Sequence, residues 1–190
     1  MTMKEETCII LDFLQNGYPN RRRGEPIAQA LGTTYFSLLE IVPKEGINLK
    51  PDEEVYVGDG KRDKVRFIKG QLDYNELTNM AQSALQDFVE KLILKNEKKF
   101  IDFFNRASII TPRMHQFELL WGVGKKNLME ILDERKKKPF ENFADLSARV
   151  HLFSDPVKSL AKRVMDELKG QEKYYLFTPR PKRFYMEQNN

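Results

Sequence analysis

The hydrophobic period of the chain changes near Gly70–Asp73, and that change limits what each half can become. Between Thr7 and Lys69, apolar residues fall in short runs or on alternate positions. They mark five candidate strands: Cys8–Leu14, Ile27–Leu31, Tyr35–Val42, Glu54–Gly58 and Lys64–Lys69. The first is almost wholly apolar and needs cover on both faces; the others alternate at least in part, as in a sheet with two different surroundings. Asp59-Gly60 is a strong two-residue turn, expected to join the fourth and fifth strands as a hairpin. Beyond the switch, Leu85, Phe88, Val89, Leu92, Phe100, Phe103 and Phe104 recur at helical spacing behind an acidic capping box of Asp73 and Glu76. That stripe is expected to be core or a seam between domains.

Five short strands within about 60 residues suggest a small curled barrel of the oligonucleotide-binding (OB) kind, a sandwich fragment being the other arrangement. The fold class is therefore α+β: an OB-like, five-stranded β-barrel over residues 1–72, a long connecting helical region over 73–106, and an all-α domain over 107–170. A basic aromatic tail over 171–190 is expected to be partly strand, through Tyr174, Tyr175 and Phe177, or disordered. Helix boundaries in the second half are punctuated. Thr111-Pro112 has the form of an N-cap and first-turn proline, Pro139 stops "KKNLMEILDERKKK", Asn142 with Asp145 opens another helix, and Asp155-Pro156 opens the last, which Gly170 closes.

The 190 residues are 41% hydrophobic and 32% charged, the balance of a water-soluble chain with a real core. No apolar run approaches the roughly 20 residues of a membrane span, and the charged start "MTMKEET" is unlike a secretory signal, so no membrane partner and a cytoplasmic location are expected. The single cysteine, Cys8, lies within an apolar run and is expected to be a packed thiol in a reducing compartment. A net charge of +4 is too small to specify an acidic partner by itself, so the placement of the charges must decide.

In "LLWGVGKKNLMEIL", Leu119, Leu120, Leu128, Ile131 and Leu132 can pack two short helices, while Gly122 and Gly124 let the backbone turn. The second helix should begin near Lys125. Its first amides lack intrahelical partners and carry the positive end of the helix dipole, so Gly122, Val123, Gly124, Lys125 and Lys126 form a candidate phosphate grip. The segment resembles the helix-hairpin-helix motif in Leu120, Gly122, Val123, Gly124, Leu128 and Ile131. Trp121 stands where that motif usually has proline; it is expected to pack between the helices, the alternative being an exposed stacking surface. A faint second copy, "LFSDPVKSLAKRV", aligns Leu152, Phe153, Leu160 and Val164 with Leu120, Trp121, Leu128 and Leu132, but has Ser154 and Pro156 in place of the glycines. The pair resembles a tandem helix-hairpin-helix domain with one competent and one degenerate hairpin. Lys158, Lys162 and Arg163 of the second copy are expected to line a solvated face, phosphate contact being the other course.

Two basic loops flank the expected barrel face, one with Arg21, Arg22 and Arg23 and the other with Lys61, Arg62 and Lys64. Tyr18, Tyr35, Tyr56 and Phe67 are possible stacking groups there, most of them expected to be core. The run Arg135–Lys138 ends a helix, where cations suit the dipole; a second contact track is the alternative. Catalytic constellations are missing: His115 and His151 are far apart and have no metal-ligand companions, and "GDGKRDK" lacks phosphate-loop spacing. No cofactor and no catalysis are expected. Lys126 and Asp145 roughly copy the lysine–aspartate separation of helix-hairpin-helix DNA glycosylases, a minor alternative, because helix capping explains Asp145.

The order "LDFLQNGYPNRRR", "PIAQALGTTYFSLLEIVPKEG", "VYVGDGKRDKV", "LLWGVGKKNLMEILDERKKKPFENFADL" and "DPVKSLAKRVMDEL" resembles an archaeal domain-of-unknown-function family, number 655, over nearly all the chain to about Leu168. The resemblance implies an OB-like domain followed by helix-hairpin-helix motifs and a nucleic-acid-binding role, without a known reaction. The expected function is thus non-catalytic binding of RNA or DNA, RNA slightly favoured, through backbone contacts. An interaction module that assembles other proteins, using the Leu85–Phe104 stripe, is the chief alternative.

Overall fold

Short apolar runs bounded by turn residues become strands at the start of the chain, and the computed structural model, which describes residues 4–19, 24–151, 153 and 155–181, places them within a residue or two of expectation for four of the five. They are β1 (Thr7–Leu14), β2 (Ile27–Gly32), β3 (Leu38–Pro43), β4 (Glu54–Tyr56) and β5 (Val65–Gln71). β3 starts later than Tyr35 because residues 33–37 form a turn. The strands make one curled antiparallel sheet, a half-barrel, in the order β4-β1-β2-β3-β5. The chain divides into two compact units, Met1–Phe88 with Asp166–Asn190, and Val89–Met165.

In the first unit, every second residue of the inner strands joins one core: Cys8 and Ile10, Ala28 and Ala30, Leu39 and Ile41, with Leu49, Val55, Val57 and Val65. Burial pushes the Cys8 thiol up to about 12, so it is a packed hydrophobe. A bulge between Ile10 and Asp12 resets the β1 register and aligns Asp12 with Gln29, which in turn faces Glu40. This polar row anchors the chain leaving the sheet. The Thr78 hydroxyl donates to Asp12 at 2.7 Å, the Thr78 amide donates to Gln29 Oε1 at 2.7 Å, and Gln29 Nε2 donates to the Glu76 carbonyl at 2.9 Å. The Asp59-Gly60 hairpin is corrected: β4 pairs with β1 and β5 with β3, leaving them at opposite ends of the strand order. The turn closes locally instead, the Gly60 amide donating to the Tyr56 hydroxyl at 3.0 Å.

Two buried glutamates organise backbone in the same unit. Glu5 accepts the amides of Thr34 and Tyr35 at 2.9 Å each and of Ser37 at 3.1 Å, and so holds the β2–β3 turn. Phe36, buried in that turn, has φ +57, a left-handed conformation that costs a bulky residue about 1–2 kcal/mol. Gly32 admits the carboxylate, since a Cβ there would lie 2.1 Å from Glu5 Cδ. Glu167, fully buried, accepts the amides of Leu176, Phe177 and Thr178 at 2.7, 2.9 and 2.9 Å. The expected strand through Tyr174–Phe177 is absent because those amides turn toward Glu167 and not toward a neighbouring strand. The remaining tail, 182–190, lies outside the described residues.

Helical periodicity gives α1 (Asn79–Lys95) and α2 (Glu97–Arg106), divided at Asn96, whose side-chain amide donates to the Leu92 carbonyl at 2.9 Å and competes with continued helix. Leu85, Val89, Leu92, Phe100 and Phe104 are buried and Phe88 and Phe103 half-buried, so most of the stripe is core. Within the second unit Phe104 stacks on Phe117 at 5.5 Å and meets Phe153 at 5.9 Å. Thr111-Pro112 does not open a helix. It forms the turn between β6 (Ile109–Thr111) and β7 (Met114–His115), because the fixed φ of proline suits a β-turn as well as a first helical turn. A short 3-10 turn over Gln116–Leu119 follows, then α3 (Lys125–Lys137), α4 (Phe143–Arg149) and α5 (Pro156–Leu168). Asn142 caps α4, its side chain accepting the Asp145 amide at 2.7 Å. Among the described residues no helix is long and apolar enough to cross a membrane.

Candidate nucleic-acid interface

Leu120 and Val123 turn inward, 3% and 7% exposed, and fix the segment that enters α3. The Val123 amide closes a turn on the Leu120 carbonyl at 3.2 Å, with Gly122 at φ +80, a conformation that favours glycine. Gly124 is the N-cap of α3; its carbonyl accepts the first helical bond from Leu128 at 2.9 Å, and it brings no side chain to the helix-start amides behind it. Gly122, Gly124, Lys125 and Lys126 are exposed, and a Cβ built on either glycine meets nothing within 4 Å. The approach to the start of α3 is therefore open. Among the described residues, no carboxylate pairs with Lys125 or Lys126.

Trp121 is corrected. It does not pack between helices but is 61% exposed, because Leu120 and Val123 on either side take the inward positions. The Ser159 hydroxyl donates to its carbonyl at 2.5 Å, and Lys162 Nζ lies 4.5 Å from its ring centroid. These contacts bring exposed Lys162 of α5 to the hairpin, 41 positions away in sequence, which no local pattern could reveal. Arg163 is 4% exposed and has no part in a solvated face, while Lys158 pairs with Asp155 at 3.3 Å. Leu152 and Ser154 lie outside the described residues; Phe153, Leu160 and Val164 of the second copy are buried.

The far end of α3 is occupied. Arg135 donates to the carbonyls of Phe104 at 3.2 Å and Ala107 at 2.8 Å, which cap α2. Arg149 donates to the Glu134 and Lys138 carbonyls at 2.5 and 2.7 Å. Lys136 pairs with Asp133, Lys137 with Glu134 and Lys138 with Glu141, at 3.3, 2.5 and 2.5 Å. The Arg135–Lys138 run is thus matched by acids and carbonyls, which weakens it as a contact track. Asp145 accepts the Glu141 amide and an Arg149 N–H, each at 3.0 Å, and these hold its carboxyl below the usual range, the amide most.

Of the basic barrel loops, Arg21, Arg22 and Arg23 lie outside the described residues. In the other loop Lys61 is exposed, Arg62 Nε donates to the Gly58 carbonyl at 2.9 Å, and Lys64 pairs with Glu53, holding that carboxyl below its ordinary range. Tyr56 and Phe67 are each 36% exposed; Tyr18 and Tyr35 are half-buried. The Tyr18 hydroxyl accepts from Gln29 at 3.0 Å and donates to Glu40 at 3.3 Å. A cleft of about 410 Å³ beside the β1–β2 connection is lined by Asn16, Glu25, Lys44 and Arg66 among others, a grouping the sequence did not suggest. Among the described residues, no three His, Cys, Asp or Glu side chains converge as metal ligands.

Comparison with known proteins places this geometry in a lineage. The chain is 38% identical over 188 residues to the uncharacterized protein MJ0038 of Methanocaldococcus jannaschii, covering 98% of this chain and 85% of the relative. The crystal structure of Af1531 from Archaeoglobus fulgidus is similar with a TM-score of 0.84 at 43% identity, over 92% of this chain and all of that one. Residues 4–179 match the family model described as a protein of unknown function, DUF655, and the chain belongs to that family.

Proposed function

We propose that this protein binds nucleic acid without catalysis, gripping the sugar-phosphate backbone at the start of α3. The observation that carries the proposal is the open Gly122–Lys126 turn: exposed glycines, a glycine N-cap with no side chain to offer the helix-start amides, and two lysines that pair with no carboxylate among the described residues. On this reading residues 116–137 are a helix-hairpin-helix unit whose first helix is reduced to a 3-10 turn, and residues 150–168 are its degenerate partner. The half-barrel is an OB-like sheet with unjoined edges, and Lys61 offers it a second phosphate contact. RNA is the polymer we favour, since a small sheet with exposed Tyr56 and Phe67 suits unpaired bases.

An interaction module would have to use another surface, because most of the Leu85–Phe104 stripe is core. A glycosylase would need Asp145 released from its cap. The test is anisotropy titration of labelled RNA and DNA at roughly 50 to 200 mM salt, where affinity should fall with a log–log slope on the order of one per phosphate engaged. Replacing Lys125 and Lys126 together by Gln should lower that slope by about two. A salt-independent affinity, or an unchanged slope in the double variant, rejects the proposal.

A further inference from the structure

We infer that Trp121 is a stacking platform for an unpaired nucleobase, the base belonging to a nucleotide whose phosphate is held at the glycine turn. The inference rests on the phosphate-grip reading and adds the class of ligand: a single strand or a frayed end, not a closed duplex. Tryptophan carries the largest apolar surface of any side chain, and leaving it 61% exposed forgoes much of the stabilisation its burial would supply. The surroundings do not treat it as a spare residue. Its carbonyl is tied by Ser159, its neighbours Leu120 and Val123 are locked into the interior, and Gly122 at φ +80 sets the turn that follows it.

The charge around the ring selects the occupant. Lys162 Nζ sits 4.5 Å from the centroid, and Lys125 and Lys126 stand exposed four and five positions on. An apolar peptide or lipid chain would cover the indole but leave three cations unmatched. A nucleotide matches both features, since every base has a flat π-face and every base is linked to an anion. In a closed duplex the faces of the bases are already stacked on one another, so only an unpaired or terminal base can use the platform.

The chain contains a single tryptophan, so the intrinsic indole emission of the native protein reports on this position alone. Titration with a single-stranded oligonucleotide, as RNA and as DNA, should quench that emission, whereas a covalently closed circular duplex, which has no terminal bases, should bind with little change. Trp121→Ala should weaken single-strand binding about tenfold while leaving duplex affinity and the salt slope as they were, and Trp121→Phe should recover most of the loss. Two failures are distinguishable. Salt-dependent binding with unmoved emission and a neutral Trp121→Ala overturns the platform and leaves the phosphate grip standing; no binding to either polymer overturns both.

Discussion

Backbone amides converge on a carboxylate in two places in the first unit, and at a third place, in the second unit, the residue that caps them is a glycine with no side chain to offer. Glu5 gathers the amides of Thr34, Tyr35 and Ser37, and Glu167 those of Leu176, Phe177 and Thr178. In both the protein supplies its own anion and buries it. At the start of α3 the amides are of the same kind, yet the N-cap is Gly124, which has no side chain to offer them, and the approach is open. The physics of the three sites is shared and the occupant differs. Where a carboxylate from the chain fills such a group of amides the result is a fixed loop; with glycine at the N-cap, the proposed function has an outside phosphate take that place.

The comparison is broken most severely by emptying a filled site. Glu167→Ala leaves three amides, two of them buried, without their acceptor and should cost about 3 kcal/mol or more, read from urea unfolding, with the tail becoming sensitive to protease. If the variant matched the parent in stability, the carboxylate would not be what holds the tail. Glu5→Ala should cost somewhat less, about 2 kcal/mol, because its turn is closer to solvent and the released chain can relax the left-handed Phe36. The smallest effect on stability, and the sharpest contrast, comes from giving the glycine-capped site a carboxylate. Gly124→Asp sits at φ −83 with free space around its Cβ and is a favoured N-cap, so stability in urea unfolding should hold or rise slightly, by a few tenths of a kcal/mol. Nucleic-acid affinity should nonetheless fall about tenfold or more, since the new carboxylate repels phosphate. A protein-binding module would keep its partner after that change.

The strands were legible because alternation and turn residues agree locally: four of the five fall within a residue or two of where β1 to β5 form. Asn142, Pro139 and Asp155-Pro156 marked their helix boundaries for the same reason, each acting on its own few neighbours. Features that depend on distant partners were not legible. Asp59-Gly60 is a sound turn, but which strands it connects in the ladder depends on β1 and β3 claiming them first. Thr111-Pro112 satisfies the rules for a helix start and for a β-turn alike, and the pairing of Ile109 with His115 decided between them. Glu5 in "MTMKEET" and Glu167 in "MDELKG" look like solvated surface acids, because nothing adjacent tells of the amides they accept. In the candidate site, Gly122–Lys126 could be found from spacing, while the exposure of Trp121 and the arrival of Lys162 required the fold of α5. The pairing of the Arg135–Lys138 lysines was within reach, since acids lie three residues from each.

The guanidinium of Arg149 on the last carbonyls of α3 has a consequence for the opposite end of that helix, about 20 Å away. With its negative pole quenched by a cation and its positive pole left bare, α3 is an unbalanced dipole, and its field points one way only. On the reading proposed above, a polyanion would meet a bare positive end at the glycines and cations already paired with acids at the tail, so the helix would give an incoming strand a direction as well as a foothold.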